Sequence, residues 1–324
     1  MPTHIWRLEG YGVGKETTRG TAIAPVTWVH QTEANFENTI ESVMDESALG
    51  VLMTTSESVK TKQFAEGTIA GIATDTSIGY FLLSLLGTPT SAETSGTGAY
   101  EHTFTMDNTN SKPSITISKS TPIEDLAFAN AMVSALNITG NVWEAVNMSA
   151  ELRAKASESA TLSKSYAEQN KFYVKNATIK FADTVGGLDS ADGECMDTFD
   201  IALTQELEDS FCLTSWVDLG DIYNKGFSID GNFWKKKTSN TLESWVNNKT
   251  QKAMRIEFID TSKTIGVEDN PTVQINLSKV TFEDHSSDGG LDDIMMENVN
   301  FKAHYDLSTS SDIEVKLINE LSTY

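Results

Sequence analysis

The sequence predicts a mainly β fold, with sandwich- or barrel-forming sheets and one short helix in each of two tandem domains. Three observations lead there. Apolar and polar residues alternate along much of the chain, and Ser, Thr and Asn are abundant, which suits sheets with one packed and one solvated face. A strand that runs into a helix at 67–87 returns 160 positions later, and residues 114–119 fall on 274–279 at the same offset. The order of predicted elements is therefore the same in both halves.

The central stretch reads Gly67 to Gly87. Residues 68–73 are small and β-tolerant, Thr74, Asp75, Thr76 and Ser77 can cap, and Ile78, Phe81, Leu82, Leu85 and Leu86 recur at helical spacing. Gly87 and Pro89 end the helix. At the offset of 160, Ile69 meets Ile229, Gly71 meets Gly231 and Leu82 meets Leu242. Residues 35–41 match 202–208 at an offset of 167, and 133–139 answer to 299–305. The repeat puts one domain at 1–155, a connector at 156–170, partly helical, and a second domain at 171–324.

Taken in order, 4–10 predicts a first strand and 10–25 a glycine-rich loop. Residues 26–45 predict one long strand whose carboxylates, Glu33, Glu37 and Glu41, lie opposite the face of the apolar residues. Residues 91–98 predict a loop, 100–106 a strand, and 115–119, 131–140 and 141–155 further strands. In the second half, 171–181 opens with a strand, 183–194 is a Gly/Asp loop, and 199–207 alternates with Glu206, Glu208 and Asp209 among its polar positions.

Acidic residues number 46 against 24 basic ones, for a net charge of −22. Such a surface repels nucleic acid, because tight binding to phosphates needs Lys and Arg to displace counterions. The only basic cluster, Lys235 to Lys237, reads as a partner or solvated surface. Cys195 and Cys212 are too few for a disulfide framework and wrongly spaced for zinc. No apolar run is long enough for a membrane helix, and the opening residues lack the pattern of a signal peptide, so assembly in a cytoplasm is expected.

No chemistry-bearing motif stands out. The segment Gly10 to Gly20 fails the phosphate-loop pattern, with Glu9 and Glu16 at the decisive positions. The five histidines have no metal spacing, and Asp189, Asp192 and Glu194 lack the order of a calcium loop. The residues predict no enzyme, no cofactor and no metal site.

The run Gly12-Val-Gly14-Lys15-Glu16-Thr17, then Gly20-Thr21-Ala22, Pro25 and Trp28, resembles the opening of tail tube (major tail) proteins of tailed bacteriophages. The likeness continues through 37–50 and the strand-helix to Gly87. It implies domains whose inner sheets merge into a barrel around a lumen. Where the domain is duplicated, it implies homotrimeric rings of pseudo-sixfold symmetry, stacked through loops into the tube of the virion tail. The implied partners are further copies of the chain, a tail terminator, baseplate or tip, and tape measure protein; genomic DNA passes without tight binding. Ring stacking is then expected of Gly12, Gly14, Lys15, Glu16, Gly20, Gly186, Gly187 and Asp189. Glu33, Glu37, Glu41, Glu206, Glu208 and Asp209 are expected to line the bore and repel DNA. The alternatives are another virion component, such as a tail terminator or decoration protein, or an acidic adhesin.

Overall fold

The computed structural model describes residues 5–94, 98–213 and 217–324. The first half contains β1 (Gly10–Lys15), β2 (Thr27–Trp28), β3 (Gln31–Ala34), β4 (Glu37–Asp45), β5 (Glu57–Ile72), helix α1 (Ser77–Leu86), β6 (Thr90–Glu93), β7 (Tyr100–Thr105), β8 (Ile115–Ser120), β9 (Asp125–Asn141), β10 (Asn147–Ala154) and β11 (Glu158–Ser159). The second contains β12 (Ala177–Ala182), β13 (Gly193–Glu194), β14 (Thr198–Ser210), β15 (Asp221–Lys236), α2 (Thr241–Asn247), β16 (Gln251–Ile259), β17 (Thr272–Asp288), β18 (Met296–Ala303) and β19 (Ile313–Asn319). The fold is mainly β, and all pairings between these strands are antiparallel.

Pairing follows one plan twice. In the first half β4 pairs with β5, β5 with β10 and β10 with β9. In the second, β14 pairs with β15, β15 with β18 and β18 with β17. The two sets join where β9 meets β14, from Thr198 opposite Asn141 to Thr204 opposite Ala135. An eight-stranded run results, in the order β4, β5, β10, β9, β14, β15, β18, β17. The long strands β9 and β17 continue into flanking pairings, β9 with β8 and β11, and β17 with β16 and β19. One apolar cluster, from Tyr11 and Phe36 to Phe301 and Leu317, fills the interior of both halves.

Helix α1 forms where the apolar spacing requires it. All ten of its residues are buried, Thr74 Oγ1 accepts the Ser77 N–H at 3.3 Å, and Gly87, at φ +118°, ends it. A Cβ on Gly79 would stand 2.1 Å from the ring of Tyr324, so glycine is what admits that ring. Tyr324 also packs edge-on against Tyr80 and His102, and its hydroxyl donates to the Thr76 carbonyl at 3.0 Å. The chain's last residues thus hold the second half against the helix of the first. So does β7, which pairs with β19.

Several expectations need correction. Of the predicted first strand 4–10, His4 lies outside the described residues, and Trp6–Leu8 is a 3-10 turn. The glycine-rich stretch is not all loop, because Gly10–Lys15 is a strand paired with β8. A Cβ on Gly12 would meet Pro25 at 2.5 Å, so the glycines let residues 23–27 lie directly across β1. The long strand 26–45 breaks into β2, β3 and β4. Where it breaks, Asn35 and Phe36 press against Gly67, whose missing side chain leaves room for their backbone.

The connector 156–170 is extended, with β11 and no helix. Gln169 in it is buried, bridging Thr74, Ser77, Thr27 and the Trp28 carbonyl. Thr90–Glu93 in the predicted loop 91–98 is a strand; residues 95–97 lie outside the described set. The alignment of 114–119 with 274–279 joins unlike strands, since the first is β8 and the second belongs to β17, the partner in pattern of β9. The repeat is one of pairing order, not of constant offset.

Candidate functional site

Register assigns one face of the eight-stranded run. Opposed residues in antiparallel pairs share a face, so Glu66, Thr68 and Ala70 of β5 stand beside Arg153, Glu151 and Ser149 of β10. The row continues through Ala135, Asn137 and Thr139, then Thr204, Ala202 and Asp200, then Ser228, Asp230 and Asn232, and ends at Lys302, Asn300 and Asp284. Residues between these, such as Ile69, Ala150, Leu136, Leu203 and Phe301, face the core. The alternation of small polar and acidic residues with apolar ones dictates which side meets water.

Glu33, Glu37 and Glu41 join this face, opposite Ala70, Glu66 and Lys62. Glu206 and Glu208 are exposed and lie at and beyond the register shift between Gln205 and Leu207 in the β14–β15 pair. Asp209 stands at the end of this face, taking Arg153 Nε at 3.2 Å and lining a cleft with Glu66, Thr68 and Glu151. Its carboxylates are only partly neutralised, by Lys62 with Glu41 at 3.2 Å, Lys119 with Glu37 at 3.4 Å, Arg153 with Glu66 and Asp209, and Lys302 with Asp230 at 3.6 Å, while Lys225 pairs with Glu208 at 2.6 Å. Among the described residues, no cation stands within ion-pair distance of Glu33, Glu151, Asp200 or Asp284. Partial burial raises the Asp200 pKa above its ordinary value.

The run also has two open edges. Among the described residues β4 pairs only with β5, and the 282–288 part of β17 pairs only with β18. Unpaired edges invite another strand. No group of His, Cys, Asp and Glu among the described residues has the geometry to hold a metal.

The residues expected to stack rings divide by place. Gly12, Gly14 and Lys15 are in β1, with the Lys15 ammonium on the Tyr324 carbonyl at 2.9 Å. Glu16 is buried and accepts from Asn130 N at 2.7 Å, Gly20 N at 2.6 Å, Ser114 Oγ at 2.5 Å and Thr116 Oγ1 at 3.0 Å. It closes the turn 16–20, where Gly20 takes φ +75°. Gly186, Gly187 and Asp189 lie in the 3-10 turn Val185–Ser190; Asp189 accepts from Arg255 at 2.7 Å, which holds its carboxyl below the usual range. The basic cluster is spent locally, Lys235 on Glu194 at 2.5 Å and Lys237 on Glu243 at 2.9 Å.

Sequence reasoning missed the residues of the joint between the halves. Arg19 Nε donates to Asp221 at 2.8 Å and its other nitrogens to the Lys112 and Ile222 carbonyls. Arg153 lies 3.5 Å from the centre of the Phe64 ring and pairs with Glu66 and Asp209. Neither arginine has a local signal, since each partner is remote in sequence.

Lys112 is buried in this joint, donating to the Leu85 carbonyl and to Gln205 Oε1 at 3.1 Å. Burial lowers its pKa to about 8, despite Asp107 and Asp312 nearby. Between that value and the ordinary 10.5, the unfolded chain holds a proton that the folded one has lost, so stability rises with pH across this window. Urea denaturation at pH 7.5 and 10 should show the wild type gaining about 1–3 kcal/mol over Lys112→Met. Equal pH slopes would mean that the ammonium is hydrated.

A family model described as phage tail tube protein matches residues 7–303. The chain belongs to the phage tail tube protein family. No curated protein matches it. As a tail tube protein it is a structural component of the virion tail, in a family whose members assemble with themselves and with other tail components into a tube.

Proposed function

We propose that this tail tube protein consists of two tail-tube-like domains, 1–155 and 171–324, joined by 156–170, and that three copies form each ring of the tube. The observation that carries this is the joint between β9 and β14, with the open edges of β4 and β17 left at the two ends of the same run. The edge of β17 holds the place in the second half that β9 holds in the first, and β4 the place of β14. A copy supplying β4 to the β17 of its neighbour repeats the internal joint, and three copies of eight strands close a barrel of 24. Closure removes the edges altogether.

In this arrangement the carboxylate face lines the bore. Fixed negative charge keeps passing DNA off the wall, and the uncharged Ser, Thr and Asn rows between give it nothing to hold. Ring-to-ring contact falls to the exposed turns at 17–21 and 185–190, with Gly12, Gly14, Lys15 and Glu16 shaping the first, Gly20 within it, and Gly186, Gly187 and Asp189 in the second. Assembly takes place in the host cytoplasm, with the tape measure protein, the baseplate or tip and the terminator as partners.

Electron microscopy of the purified full chain tests this. Hollow tubes or free rings with threefold symmetry and six similar lobes are expected. A chain that stays monomeric at tens of micromolar would overturn the ring and favour an adhesin or another accessory role.

A further inference from the structure

The two halves carry matching hairpins, yet only one is covered. The far part of the β14–β15 hairpin leans on the first half, packing Leu207, Phe211, Leu219 and Ile222 around Phe64 and Met132. Gln63 N donates to the Val217 carbonyl at 2.8 Å, and Arg153 and Arg19 grip Asp209 and Asp221. The β4–β5 hairpin has no such cover. Its Ile40, Val43, Met44, Leu52, Met53 and Val59 are exposed. The offset of 167 places Phe36 on Leu203, both fully buried, and then Ile40 on Leu207. One of these last two therefore packs against protein while its counterpart meets water.

The surface that the covered hairpin uses is the end of β5 and β10, where Glu66, Thr68, Glu151 and Arg153 line a cleft with Leu207 and Asp209. By pairing order the counterparts of β5 and β10 are β15 and β18. There, a cleft of about 360 Å³ stands open, lined by Asn224, Lys225, Phe227, Ala303, His304 and Tyr305. Asp107 and Asp312 also line it, so what matches the bare hairpin is the apolar content of the cleft, Phe227 and Ile229 beside Tyr305, and not its charge. A row of exposed apolar residues on a monomer's surface marks a contact.

We propose that the β4–β5 hairpin of one copy docks into the β15–β18 cleft of the next copy in the ring, as the β14–β15 hairpin docks within the chain. This rests on the ring reading and specifies its second contact, beyond strand pairing. It makes the hairpin the part of the chain that selects its neighbour in the ring.

A photoreactive benzoylphenylalanine at position 43 or 52 of the full chain, in a mixture of isotopically light and heavy copies, tests the contact. The expected result is rings or tubes in micrographs together with light-to-heavy cross-links into 224–229 or 303–305. Rings that form with cross-links elsewhere, or only within a chain, would overturn the docking and leave the ring standing. Wild-type chain that makes no rings would overturn both. As a second measure, Val43→Asp with Met44→Asp should lower ring formation at least tenfold with an unchanged melting temperature; unchanged ring formation counts against the docking.

Discussion

Glu16→Ala is expected to destabilise the chain by about 3–5 kcal/mol in urea denaturation. The carboxylate is buried and takes four hydrogen bonds, two from backbone N–H groups of Gly20 and Asn130 and two from the hydroxyls of Ser114 and Thr116. Removing it leaves four donors facing a cavity. The hydroxyls can turn to other acceptors, but the two N–H groups cannot, and each buried orphan costs about 1–3 kcal/mol. Asn130 holds φ +53° where β9 turns from one set of partners to another, and its amide donates to Asp221 at 2.9 Å. Loss of Glu16 therefore loosens the corner of β9 and the grip on the second half together. Glu16→Gln retains an acceptor oxygen but turns an amide N–H₂ toward donors, and about 1–2 kcal/mol is expected. A loss below 1 kcal/mol for alanine would mean that water replaces the carboxylate.

Reversing charge on the sheet face is the second large effect, and it bears on the proposed bore. Glu37→Lys, Glu151→Lys and Asp284→Lys are exposed changes on three separate strands, and together they add six positive charges to a chain (three changes, two each). In a ring of three copies that is a change of eighteen. Tubes should still form, because side chains on this face stand perpendicular to the sheet and leave the backbone edges of β4 and β17 free to pair. At about 50 mM salt the variant tubes are expected to retain DNA at least tenfold more than wild type, and the difference should vanish near 0.5 M as counterions compete. Particles carrying the variant should release their DNA more slowly at low salt. Equal retention and release would remove the face from the bore.

The helix α1 was legible because its own residues suffice: apolar spacing, hydroxyls before it, glycine after it. The carboxylate row was legible in part for a similar reason. Glu33, Glu37 and Glu41 lie even numbers of positions apart, which by itself puts them on one side of an extended chain. The pairing of Asp209 could not be read in the same way, because Arg153 and Phe64, against which it ends, lie far away in the chain. The motif Gly12 to Gly20 was visible as a pattern, but its physical content was not. Its glycines make room for a crossing segment, and its glutamate is a buried acceptor for groups as distant as Asn130.

What the residues determined by themselves was local and periodic: a mainly β chain, two short helices, a pattern written twice and an acidic exterior. Hydrophobic period, turn chemistry and charge act over a few neighbours, so they can be read in line. The tertiary structure decided the strand order, the shared run of eight strands, the joint at β9 and β14, and which hairpin finds cover. These depend on pairings across tens to hundreds of residues, such as Lys15 with Tyr324 or β7 with β19, where backbone hydrogen bonds carry no mark of the partner's identity.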